Sequence, residues 1–439
     1  MLERYERFDM RRKPDRMHLR GLIGALCMPD LWTHRNKLTK IRMEGIRPPY
    51  LLLCNHNAFM DFKVATKATW PHRVNYVVAI DGFLGREWLL RYIGCICKRK
   101  FTKDLTLIRQ LKTVVDRGDI AAIYPEARYS LCGTTAVLPE SIGKLAKLLK
   151  VPVVTLICHG HHVNSPFWSL PDRHVRGTEA EMTCLFTAEE LEKATPAEVN
   201  EAIVRAFSYD DFRWQKEKGI RISYPRRAEG LHKVLYQCPH CGTEYKMLGE
   251  GTTLRCLACG KVWQMTELGE LCAEDGQTEF SHIPDWYEWE RANVRREVEA
   301  GTYHFACDVR VDALPNPKRY IDLGMARLVH DMDGFRLDGT FEGEPYHVEI
   351  AARSLYSVHI EYEYLGKYGD CVDLNTLDDT LYCYPKNCDF SVTKLALATE
   401  ELYRLYADRL AQERAALRAG KKPAPEKAQN TAASAAAGN

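Results

Sequence analysis

The 439-residue sequence predicts an α/β domain with a largely parallel sheet, followed by a small zinc ribbon and an α+β domain at the C-terminal end. Three patterns carry this expectation. Short apolar runs alternate with helix-period segments through the first half, two Cys-x-x-Cys pairs lie past the middle, and short alternating runs cut by turn signals fill the last third before one long helix. A chain of this length exceeds one ordinary core, so two or three domains are expected.

The expected segments are a basic, amphipathic lead-in over 1–48, the α/β domain over 49–218, a linker over 219–236 and the ribbon over 237–265. A linking helix region over 266–301, a β-rich domain with a C-terminal helix over 302–414 and an Ala-rich tail over 415–439 complete the chain. The tail has no apolar face after Leu417 and reads as disordered from about Gly420.

Within the first half, 50–54 reads as a strand, 58–68 as a helix and 74–80 as a second strand. Leu105, Ile108, Leu111 and Val115 recur at helical spacing, with Gly118 where a C-terminal cap belongs. Residues 120–124 form a short buried strand, Pro139 opens a helix through Leu145 and Leu149, and 151–158 makes another strand. Thr195, Pro196 and Glu198 form a capping box with an N1 proline, opening a helix to about Lys216 that closes the domain. The Trp- and Tyr-rich stretch 285–300 reads as a helix whose aromatics pack on a neighbouring domain. Beyond Tyr303, turn signals at Asn316-Pro317, Asp333-Gly334 and Gly369-Asp370 separate short strands, and 392–410 is the final helix. A pleckstrin-homology-like barrel is one architecture with this pattern.

The charge balance, 61 basic against 59 acidic side chains, argues against a nucleic-acid partner, whose binding would rest on phosphate neutralisation. Sixteen cysteines with no signal peptide point to a reducing, cytoplasmic interior where thiols stay free or hold metal. The apolar stretch 21–32 is broken by Pro29 and Asp30 and is too short for a transmembrane helix. Following an Arg-rich lead-in, it suits a helix lying on a membrane surface as well as one packing on its own domain.

Cys238-Pro-His-Cys241 and Cys256-Leu-Ala-Cys259 each have a glycine immediately after the second cysteine. Such knuckles turn four thiolates inward to a closed tetrahedral Zn²⁺ site, which is structural rather than catalytic. Cys158-His159-Gly160-His161-His162 has no carboxylate partner nearby in sequence and reads as structural or loop histidines.

Asn55 and His56 stand just after the first strand, and Asp61 follows five positions after the histidine. Five positions do not share a helix face. The two side chains meet only if His56 lies in the turn before the helix, where Asp61 accepts a hydrogen bond from one ring nitrogen and leaves the other free as a base. A lone histidine at a strand end is usually structural.

The surrounding segments, over roughly 49–207, resemble the glycerophospholipid acyltransferase family. The family's first motif, Asn-His-x-x-x-x-Asp, is complete here as Asn55, His56 and Asp61. Its second, a glycine with an apolar pair before an arginine, is looser: Gly94-Cys95-Ile96-Cys97 leads into Lys98, Arg99 and Lys100. The third, Phe-Pro-Glu-Gly-Thr-Arg-Ser, appears as Tyr124-Pro125-Glu126-Ala127-Arg128-Tyr129-Ser130, with Ala127 at the glycine, Tyr129 at the arginine and Arg128 one position earlier. The fourth appears as Val151-Pro152-Val153-Val154-Thr155-Leu156.

The resemblance implies a 1-acylglycerol-3-phosphate O-acyltransferase-like enzyme. It would move an acyl group from acyl-CoA or acyl carrier protein to a glycerol-phosphate or lysophospholipid acceptor. His56 would be the general base and Asp61 its orienting partner, with Asn55, Arg99, Glu126 and Arg128 on the substrate. The cytoplasmic reading and the short apolar stretch at 21–32 together give an expected peripheral position on the inner face of the cell membrane. The altered third motif keeps a second reading open, a catalytically impaired, membrane-associated lipid-binding or scaffold protein.

Overall fold

The computed structural model describes residues 2, 5–169 and 171–418. Leu51, Leu52 and Leu53 are fully buried, as a strand covered on both faces requires. They form β2 (Leu51–Cys54), the middle of a seven-stranded sheet. The other strands are β1 (Lys37–Ile41), β3 (Val74–Ala79), β4 (Ile96–Lys98), β5 (Ile120–Ile123), β6 (Val153–His159) and β7 (Glu179–Phe186), in the order β1-β7-β6-β2-β5-β3-β4. Strands β2 to β6 are mutually parallel, and β7 runs antiparallel to β6. The pleat divides β2 between two cores: Leu51 and Leu53 pack with Leu111, Val114, Ile142 and Val199, while Leu52 and Cys54 pack with Met60, Val64 and Leu31.

The helices start and stop where the local chemistry dictates. The Asp104 side chain accepts the Thr106 N–H to open Leu105–Asp116, and Gly118, at φ +86°, takes the left-handed turn that ends it. The Thr195–Glu198 capping box opens Pro196–Ala206. That helix stops at Ala206, short of the expected Lys216, because Asp210 caps a separate helix, Asp211–Glu217, by accepting the Arg213 N–H. The sheet also begins earlier than expected. Strand β1 pairs with β7 in the 1–48 region assigned to a lead-in, and helix Arg20–Thr33 packs Cys27 and Leu31 into the domain core.

A four-stranded antiparallel sheet follows, in the order β11-β10-β9-β8, built from β8 (Met247–Glu250), β9 (Thr253–Cys256), β10 (Val262–Met265) and β11 (Leu271–Ala273). It extends past the expected end at 265 because β11 pairs with β10. Helix Ile283–Glu299 buries Trp286 and Tyr287.

The last third is an antiparallel sheet of β12 (His304–Ala313), β13 (Ile321–Asp331), β14 (Gly334–Phe341), β15 (Glu344–Ala351), β16 (His359–Glu361), β17 (Cys371–Asn375) and β18 (Thr380–Lys386). Its order, β15-β14-β13-β12-β18-β17-β16, places the first strand against the last. Helix Val392–Arg418 covers it with Leu395, Leu397 and Leu402. The helix runs through 415–418, where a disordered tail was expected, and 419–439 lie outside the described residues.

Cys307 and Cys388 form a disulfide, contrary to the expectation that every thiol stays free or holds metal. Among the described residues, no helix is long and apolar enough to cross a membrane.

Candidate active site

Parallel pairing of β2 with both β5 and β6 brings the carboxyl ends of three strands to one rim. His56 follows β2, Glu126 follows β5 and His161 follows β6. The chain at His56 is pinned from both sides: its N–H donates to Glu126 Oε2 at 2.6 Å, and its carbonyl accepts the Ser130 N–H at 2.8 Å. Its ring lies between Tyr124 and Tyr129, 4.3 Å from the centroid of each, and its side chain is 25 % exposed.

His56 does sit in the turn before helix Met60–Ala68, and Asp61 Oδ2 lies 3.5 Å from His56 Nδ1. The same Oδ2 accepts the N–H groups of Asn57 at 2.5 Å and Ala58 at 2.9 Å. Oδ1 lies 2.5 Å from His161 Nδ1. Burial pushes the Asp61 carboxyl up, but the hydrogen bond to His161 and the nearby His56 ring, whose Nδ1 lies beyond hydrogen-bond geometry, outweigh it and hold the group at about 2. Asp61 is therefore a fixed, buried carboxylate. Among the described residues none hydrogen-bonds His56 Nε2, which leaves that nitrogen available for a proton.

The remaining expected site residues are placed differently. Asn55 is fully buried and bridges two strand ends, its amide donating to the Cys158 carbonyl at 2.9 Å and accepting the Cys158 N–H at 2.8 Å. Glu126 is also fully buried and accepts from the Ala136 N–H and the Tyr209 hydroxyl as well as from His56, while burial pushes its carboxyl up to about 8. Both side chains are engaged in hydrogen bonds inside the rim.

Arg99 and Arg128 depart furthest from the substrate-binding expectation. Arg99 donates to the carbonyls of Leu314 and Pro315 and to Thr380 Oγ1. Arg128 pairs with Glu400 at 2.7 Å. Each guanidinium is at most 4 % exposed and is held by the C-terminal β domain or its helix, so neither is free for an acceptor phosphate. The neighbouring cations are engaged as well: Lys98 donates to Thr102, and Lys100 Nζ lies 2.7 Å from His359 Nε2.

His161 was read as a structural or loop histidine, yet it is the second imidazole on Asp61. The signal that could have found it is topological. Neighbouring parallel strands bring residues just past their ends together, and 55–57 and 160–161 follow two such strands.

Ala127 stands where the family motif has glycine, and its φ of +55° is the left-handed conformation that glycine adopts without strain. The turn is retained although the residue that favours it is not.

The sulfurs of Cys238, Cys241, Cys256 and Cys259 lie within 4.8 Å of one another. Cys238 to Cys259 is 3.8 Å and Cys241 to Cys256 is 3.7 Å. A tetrahedron of thiolates about 2.3 Å from one ion has edges of about 3.8 Å, so the donor set fits a thiolate-bound metal. Gly242 and Gly260, at φ +75° and +79°, allow the two knuckle turns.

The fold and the rim define the class: an α/β domain with a His–Asp pair at the carboxyl ends of its parallel strands. Residues 35–159 match the family model described as Acyltransferase. The match contains the Asn55–His56–Asp61 motif that carried the resemblance to glycerophospholipid acyltransferases. Among solved structures, the chain is similar to the 1-acyl-sn-glycerophosphate (LPA) acyltransferase PlsC from Thermotoga maritima. The similarity is at 13 % identity over 43 % of this chain and 76 % of that one, with a TM-score of 0.36. No curated protein matches the chain.

Proposed function

We propose that the protein transfers a fatty acyl group from an acyl thioester of coenzyme A or acyl carrier protein to a hydroxyl of a glycerol-phosphate or lysophospholipid acceptor. One observation carries this reading: within an acyltransferase-family segment, an ionised, buried Asp61 faces one nitrogen of a partly exposed His56. His56 Nε2 removes the acceptor's O–H proton as its oxygen attacks the thioester carbonyl. The C–S bond then breaks, and the leaving thiolate recovers the proton from the imidazolium that Asp61 has stabilised. No covalent enzyme intermediate is required.

The competing reading, a lipid-binding protein without turnover, draws on the engagement of Arg99 and Arg128 inside the protein. Thiol release from an acyl thioester in the presence of acceptor separates the two, since a pure binder retains lipid without cleaving the donor.

The four cysteines are proposed to hold a structural Zn²⁺. Purified protein is expected to contain one zinc per chain by elemental analysis. Cys256→Ser should lower that content and destabilise the β8–β11 sheet, and full thermal stability in a metal-free sample would refute the assignment.

Peripheral membrane association draws on exposed Leu22, Leu26 and Trp32 of helix Arg20–Thr33, with exposed Phe59 and Trp70 beside it. Leu22→Glu with Leu26→Glu should reduce flotation with anionic phospholipid vesicles at least fivefold. Unchanged flotation would exclude this face. The antiparallel seven-stranded order with its first strand beside its last, under one helix, supports the pleckstrin-homology-like reading of the C-terminal domain.

A further inference from the structure

Glu400, on helix Val392–Arg418, is a fully buried carboxylate between two guanidiniums. Its Oε1 lies 2.7 Å from Arg128 Nη2 and accepts the Ser357 hydroxyl at 2.7 Å, while Oε2 lies 2.7 Å from Arg291 Nη1 on helix Ile283–Glu299. Three segments distant in sequence therefore converge on Glu400, and one of them is the 124–130 turn, through Arg128.

That turn is also what holds His56. Glu126 and Ser130 bond the two main-chain groups of His56, and the ring of Tyr129 packs on its imidazole. Arg128 sits between them. A shift of Arg128 moves its covalent neighbours Ala127 and Tyr129, and through them both contacts that fix the base.

Buried ion pairs are poor sources of stability, because desolvation consumes most of the attraction, so orientation is the better reason for a buried carboxylate to tie the buried Arg128 to the half-buried Arg291. Small displacements of a base away from its reacting geometry cost rate more than binding.

We propose that Glu400 and Arg128 are positioning residues for His56, making the C-terminal helix part of the catalytic unit. This rests on the acyl-transfer reading above. An acceptor-binding arginine would show itself in KM; a positioning arginine shows itself in kcat.

The test uses the full-length protein and an acyl-CoA thiol-release assay. Arg128→Met and Glu400→Gln should each lower kcat at least tenfold with acceptor KM within threefold of wild type. Arg128→Lys, which keeps the cation, should recover part of the loss, and Arg128→Met/Glu400→Gln should lose no more than the worse single variant. Ser357→Ala removes one hydrogen bond from Glu400 and serves where a charge deletion fails to fold, with a smaller fall in kcat expected.

A raised KM at unchanged kcat, or unchanged kcat in both Arg128→Lys and Ser357→Ala, would overturn the proposal. Should wild type release no thiol, the acyl-transfer reading fails by itself. The coupling is then read from the His56 ring resonance, assigned by its loss in His56→Gln, which must move in Ser357→Ala or Glu400→Gln; an unmoved resonance overturns it.

Discussion

Purified His56→Ala is expected to lose acyl transfer by about 10²–10⁴-fold, the range that removal of a positioned general base produces. The loss should appear in kcat, measured as thiol release from acyl-CoA at saturating acceptor. The fold should survive, because the hydrogen bonds that pin residue 56 to Glu126 and Ser130 are made by its main chain and do not need the imidazole. The truncation removes a quarter-exposed ring between Tyr124 and Tyr129 and no buried charge. Circular dichroism and zinc content should match wild type. Turnover within threefold of wild type would mean that another group takes the proton, and the site would have to be sought elsewhere.

The features legible in the sequence are those set by local chemistry. Three consecutive buried leucines announce β2, and Asp104 with Gly118 brackets a helix whose apolar period is regular. The placement of His56 before a helix and Asp61 inside it follows from their five-residue separation. Strand β1 escaped notice because Lys37–Ile41 is mostly exposed and carries two lysines, so it has neither a buried run nor a clean alternation.

The partners of the two arginines were not legible for a different reason. The fate of Arg99 depends on Leu314, Pro315 and Thr380, and that of Arg128 on Glu400, all more than two hundred positions away. Motif reasoning assigns an arginine to a ligand by its neighbours in sequence, and it has no access to a domain that docks afterwards. The sulfur cluster is the opposite case: two short knuckles, each closed by its own glycine, need only one long-range coincidence, and that pairing is visible in the repeat itself.

Asp61→Asn should lower kcat by about 10²–10⁴-fold while leaving a folded protein. The amide oxygen can keep the Asn57 and Ala58 N–H groups. The amide nitrogen then faces His161, whose other ring nitrogen is buried without a partner, so that ring can change tautomer and accept. What the variant cannot supply is a negative charge beside His56 when the ring takes up the acceptor's proton.

The pH dependence of stability has a definite sign. The Asp61 carboxyl is held at about 2, below its ordinary value of 3.8, so the stability it contributes is complete above that ordinary value and is lost as pH falls toward 2. The stability gap between wild type and Asp61→Asn should therefore be constant from pH 7 to 5 and shrink below pH 4 in urea titrations. Because Asp61 remains a carboxylate over the whole assay range, activity lost between pH 7 and 5 cannot come from its protonation. A variant with wild-type kcat and a lowered melting temperature would make Asp61 a structural cap of the 57–61 turn and leave His56 without its electrostatic partner.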